Sequence, residues 1–73
     1  MVRIKLISIS GESDKDSNNY FKGFVDGEPV FSTIEEAKIM STEAEEEDNF
    51  TSNMEKLRSD FKQEGKKYIP EEV

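Results

Sequence analysis

The chain reads as an α+β domain: a sheet of three to four mostly antiparallel strands with one long amphipathic helix packed on one face. Three observations carry that expectation. The N-terminal residues alternate apolar and basic, Asp26-Gly27 stands between two short β-rich runs, and apolar residues recur at helical spacing from Phe50 to Phe61. The 73 residues leave room for a single domain over 1–73. A chain of this size buries only about 60% of its unfolded surface, so its core is thin and a deep enclosed pocket is not expected.

The elements follow in order. Val2, Ile4 and Leu6 alternate with Arg3 and Lys5, the pattern of a half-buried strand. The apolar phase then moves to Ile7 and Ile9, which predicts a bulge or burial on both faces. Residues 11–19, rich in glycine, serine, aspartate and asparagine, read as an exposed loop. Tyr20 to Val25 is a second strand, and Asp26-Gly27 supplies the positive φ angles that a type I′ hairpin turn needs. The returning strand, Glu28 to Ser32, contains Pro29, which lacks an amide hydrogen and therefore belongs at a sheet edge. Thr33-Ile34-Glu35-Glu36 has the form of a capping box and opens a helical turn through Ala37. Lys38-Ile39-Met40 is then either a short strand or more of that helix.

Phe50, Met54, Leu57 and Phe61 fall at i, i+4, i+7 and i+11, one narrow helix face. Acidic residues before it and Lys56, Arg58 and Lys62 toward its end both favour the helix dipole. Started near Thr42 and stopped by Gly65, the helix is about 22 residues long. The alternative is a break at Asp48-Asn49 and a shorter helix capped by Ser52 and Glu55. Lys67-Tyr68-Ile69 closes the domain as a last strand ended by Pro70.

Charge is distributed unevenly. Residues 1–25 hold four basic and three acidic groups, residues 26–55 hold ten acidic groups against Lys38 alone, and residues 56–67 hold five basic against two acidic groups. The net charge is −7, and the acidity is densest at Glu43-Ala44-Glu45-Glu46-Glu47-Asp48. Nucleic acid and anionic lipid are repelled by such a surface, and a basic partner is attracted. On a continuous helix, residues 43–49 would give only Ala44 to the apolar side, and the first two turns would project as a rod of carboxylates.

Several chemistries are disfavoured. With no cysteine and no histidine, disulfides, thiolate chemistry, the commonest general base and most transition-metal sites are absent. No cofactor is expected. Asp14-Lys15-Asp16-Ser17-Asn18 opens like a calcium loop, but Asn19 and Val25 stand where glycine and a bidentate glutamate are required. Lys22-Gly23-Phe24-Val25 resembles part of an RNA-recognition strand, yet lacks the basic surface such binding uses. The adjacent pairs Glu35/Glu36 and Glu45/Glu46/Glu47 offer carboxylates without an environment to separate their pKa values, so a catalytic role is not expected. Asn49-Phe50-Thr51 matches a glycosylation acceptor by chance. The interleaved charges of Met1 to Ser10 are a strand and not a signal peptide, which places the protein in a cytoplasm.

Three readings of the acidic run remain: a solvated face, a density of charge imitating a phosphate backbone, and a recognition helix that docks through Ile39, Met40 or Phe50. The stretch from Tyr20 to Leu57 also resembles small acidic phage and prophage accessory proteins. There a hairpin leads to a turn such as Glu35-Glu36-Ala37-Lys38, an apolar pair such as Ile39-Met40, and a start such as Ser41-Thr42-Glu43-Ala44. The resemblance implies a non-catalytic inhibitor of host machinery, of the anti-CRISPR or anti-restriction kind. Its partner would be a protein with a basic, nucleic-acid-binding surface, met through Glu43, Glu45, Glu46, Glu47 and Asp48 with Glu35 and Glu36 behind them. The competing expectation is a structural or adaptor module, self-associating through the Pro29 edge or apolar side chains near Met40. A magnesium enzyme, the remaining alternative, needs distant carboxylates to converge.

Overall fold

The computed structural model describes residues 1–10 and 19–73. Among these residues four strands, β1 (Val2–Ser8), β2 (Tyr20–Val25), β3 (Glu28–Ser32) and β4 (Lys66–Glu72), form one antiparallel sheet in the order β3-β2-β1-β4. A 3-10 turn (Ile34–Glu36) follows β3, and the helix α1 spans Phe50–Asp60. No helix among the described residues is long and apolar enough to cross a membrane.

The alternation in β1 buries Val2, Ile4 and Leu6 on one side. The phase shift at Ile7 and Ile9 produces neither a bulge nor a doubly buried strand: Ile7 is only half-buried and Ile9 is 61% exposed. The irregularity lies instead in β2, where the register to β3 slips between Phe21 and Gly23. On the opposite face of the sheet Tyr20 is flanked by Arg3 and Lys5, whose charged ends stand 5.4 and 5.5 Å from its ring centre. Its hydroxyl donates to Glu71 at 3.3 Å, and Glu71 is also paired with Arg3. Tyr20 therefore owes its burial to a charged cover and not to the apolar core.

Asp26 and Gly27 have φ of 52° and 82°, the left-handed pair that a type I′ turn demands. That turn makes Val25 and Glu28 the hydrogen-bonded closing pair, so Pro29, opposite Phe24, occupies a position whose nitrogen faces away from β2. The same arrangement recurs at the far edge. Val73 N–H bonds to the Met1 carbonyl (3.1 Å) and Ile9 N–H to the Gly65 carbonyl (2.9 Å), which fixes the alternation along β1 and β4. Pro70, opposite Ile4, then falls in a pair without hydrogen bonds, and β4 runs through it to Glu72 instead of ending there.

Strands β1 and β2 touch closely only at Lys5 and Tyr20 and then separate. Residues 38–40 fill the gap as an extended segment, neither strand nor helix: Lys38 N–H bonds to the Phe21 carbonyl (2.9 Å), while Val2 and Met40 exchange both backbone hydrogen bonds (2.9 and 2.8 Å). Met40, 0% exposed, joins Ile4, Leu6, Phe21, Met54, Leu57 and Tyr68 in the core, with Phe24, Phe31 and Phe50 against it. Burial on this scale removes Met40 as a docking residue, and Phe50 is half-buried as well.

The long helix from Thr42 is corrected to an 11-residue one. Asn49, in an extended conformation, accepts from Ser52 N–H (3.0 Å) and caps the first turn, so the break at Asp48-Asn49 is real but Asn49 is its cap. Residues 43–48 have no apolar side to bury, and carboxylates at helical spacing such as Glu43 and Glu47 would repel. The helix ends at Phe61, ahead of Gly65, whose φ of 78° instead turns the chain into β4. Thr33 makes no side-chain cap on the 3-10 turn, because the Glu36 N–H it would cap donates to the Thr33 carbonyl (3.1 Å), and the Glu36 carboxylate, the other half of the box, is engaged with Ser32 and Lys22.

Candidate functional site

The acidic run is a turn-rich loop, residues 42–48, and not a rod. Its base is closed by a bridge between Ser41 and Asn49: Phe50 N–H donates to the Ser41 carbonyl (2.7 Å) and Ser41 N–H to the Asp48 carbonyl (3.2 Å). Both anchors are buried polar residues, with Asn49 only 2% exposed. The Asn49 amide nitrogen donates to the Glu43 carbonyl while its oxygen caps α1, so one side chain fastens the loop to the helix. Ser41 Oγ accepts from Glu43 N–H (3.0 Å), and Glu46 N–H closes a further turn on the Glu43 carbonyl (3.2 Å).

Glu43, Glu45, Glu46, Glu47 and Asp48 are all exposed on this loop. Only Asp48 has a cationic partner among the described residues, the Lys38 ammonium at 2.9 Å. That pair ties the start of the 38–40 segment to the loop. The even spacing that a helix imposes on carboxylates is absent, so the loop offers a concentrated patch and not a regular line of charge.

Glu35 and Glu36 do not stand behind it as one surface. Glu36 turns to β2 and β3, accepting from Ser32 Oγ (2.6 Å) and Lys22 Nζ (3.2 Å). The Ser32 hydrogen bond first, and the Lys22 hydrogen bond and charge after it, hold its carboxyl below the usual value of 4.5. Glu35 is exposed on the 3-10 turn and pairs with no other described residue. Five of the seven expected residues thus share a loop, and two lie on a separate turn, one of them committed within the chain.

Asn49 and Ser41, which give the loop its shape, were not among the expected site residues. The usable signal was an asparagine immediately before the first apolar residue of the helical period. Among the described residues no group of three or more acidic side chains converges as a metal set. The calcium-like stretch Asp14 to Asn18 lies outside the described residues. Comparison with protein-family models, with curated proteins and with solved structures finds no match for this chain.

Proposed function

We propose that this chain is a non-catalytic binding domain whose 42–48 loop docks on the basic, nucleic-acid-binding surface of a protein partner and blocks it. The observation that carries the reading is the pinned acidic loop: Glu43, Glu45, Glu46 and Glu47 are exposed, and buried Asn49 and Ser41 hold the backbone beneath them. Holding like charges together costs repulsion that an extended loop would relieve, and a cationic partner turns that cost into binding energy. The inhibitor role in a bacterial cytoplasm rests on the resemblance of residues 20–57 to phage accessory proteins.

The test pairs the native chain with the triple reversal Glu45→Lys, Glu46→Lys, Glu47→Lys, each immobilised and exposed to bacterial lysate at low salt. The expected partner is retained by the native chain alone, elutes between about 50 and 200 mM salt and is displaced by duplex DNA. Equal retention by the triple reversal rejects the reading. A second reading, an apolar self-associating module, is favoured by Ile34 and Ile39, which remain 42% and 41% exposed. Its mark is a dimer in sedimentation that persists as salt is raised.

A further inference from the structure

The opposite end of α1 carries chemistry of the other sign. A cleft of about 570 Å³ opens between the end of the helix and the start of β4. Four cationic residues line it, Arg58 and Lys62 from the helical side and Lys66 and Lys67 from the strand, the last two leaving β4 on opposite faces. None of the four is ion-paired with a described carboxylate. Arg58 is directed across the cleft by its hydrogen bond to the Tyr68 carbonyl (3.3 Å). The remaining lining is Ile9, Gln63, Tyr68 and Ile69; the Tyr68 side chain itself is buried in the core, its hydroxyl fixed on the Phe61 carbonyl at 2.6 Å.

This is a built concavity and not only a run of surface lysines. The 61–65 turn brings its two walls together: Lys66 N–H bonds to the Gln63 carbonyl (3.2 Å), and the Gly65 carbonyl accepts from Ile9 N–H. The volume falls within the range of small-ligand sites, about 300 to 1,000 Å³, and the lining is richer in charge than most, which selects for an anionic ligand. The exposed Ile9 side chain, which the core does not use, gains a role as an apolar wall.

The overall charge of −7 argues against an anion here only if it is felt in the cleft. The 11 residues of α1 separate the acidic loop from its C-terminal end by about 16 Å. That is about twice the screening length at physiological salt, so the loop's field is largely spent before it reaches Lys62. Nearer acidic groups, Asp60 and Glu64, are exposed and do not line the cleft.

We propose that this cleft is a binding site for a small organic phosphate, with the phosphate groups on Arg58, Lys62 and Lys66 and an apolar or planar body against Ile9 and Ile69. The reading is independent of the acidic loop. Guanidinium and ammonium groups together recognise phosphate oxygens, and an apolar wall separates an organic phosphate from a free inorganic one.

The experiment is a heteronuclear NMR titration of the full chain with adenosine triphosphate, pyrophosphate, adenosine, and a synthetic peptide of residues 41–49. Adenosine triphosphate should give saturable shifts at the Ile9 and Ile69 methyls and at amides 62–68. Pyrophosphate should bind more weakly and adenosine weaker still. The double variant Lys62→Ala, Lys66→Ala, both exposed positions, should weaken the nucleotide about tenfold with an unchanged far-ultraviolet spectrum. The triple reversal in the 42–48 loop should leave nucleotide affinity unaltered, which separates this site from the loop's proposed role. No saturation at millimolar nucleotide, equal binding of pyrophosphate and nucleotide, or indifference to the double variant overturns the proposal. So does uptake of the 41–49 peptide in place of the nucleotide, which would make the cleft a socket for a second copy of the chain.

Discussion

Replacing Asn49 by alanine tests whether one side chain holds both the helix and the acidic loop. The substitution removes the cap on Ser52 N–H, a contact that contributes about 1 kcal/mol in comparable helices. It also strips the Glu43 carbonyl of its amide donor, worth about another 1 kcal/mol net. The expected loss is about 2 kcal/mol, and for a chain of this length that lowers Tm by about 8–16 °C. Asn49→Asp separates the two contributions. It keeps the acceptor that caps α1 but sets a carboxylate against the Glu43 carbonyl, so it should spare the helix and loosen the loop. Urea unfolding followed by circular dichroism gives the total for each variant. Amide hydrogen exchange at residues 43–48 and 52–55 then assigns the loss to loop or helix. An alanine variant within 0.5 kcal/mol of the native chain, or an aspartate variant whose loop amides stay as protected as before, refutes the account.

Two further outcomes follow from particular side chains. The Arg3 hydrogen bond first, and then the Arg3 charge and Tyr20, hold the Glu71 carboxyl below 4.5 against the opposing effect of burial. A carboxyl with a depressed folded-state pKa stabilises fully above its unfolded value and loses that contribution as pH falls through its folded one. Stability should therefore decline below about pH 4.5, and Glu71→Gln should flatten that acid limb in pH-dependent urea unfolding. Met40→Ala, at a site with no exposure, should cost about 2–5 kcal/mol and leave this small domain largely unfolded by circular dichroism, whereas Met40→Leu should cost less than about 1.5 kcal/mol.

The parts of the fold legible from sequence were those set by short-range chemistry. Alternation placed β1, Asp26-Gly27 placed the hairpin, Pro29 placed an edge, and Met54 and Leu57 marked the buried face of the helix. The misread region is where local preference and tertiary packing disagree. Glutamate and alanine at 43–47 are good helix formers, but without an apolar face their propensity is outweighed by charge repulsion and by the Asn49 cap. Met40 was indeterminate because its environment depends on β1 and β2 diverging, which no nearby residue signals. The cleft escaped for a related reason: Ile9 and Lys67 are far apart in sequence and meet only through the pairing of β1 with β4.

The two outer prolines also bear on how the molecule behaves when crowded. Each outward row of amide donors, one along β3 and one along β4, is interrupted where Pro29 and Pro70 have none to give. An arriving extended peptide, or the rim of a second sheet, meets a gap in the ladder on either side. At neutral pH the −7 charge already keeps copies apart. Near the isoelectric point of about 4.5 that repulsion vanishes, before the 10 basic groups restore it with the opposite sign in stronger acid, and in that window two ring nitrogens become the sheet's remaining defence against edge-to-edge pairing into fibres.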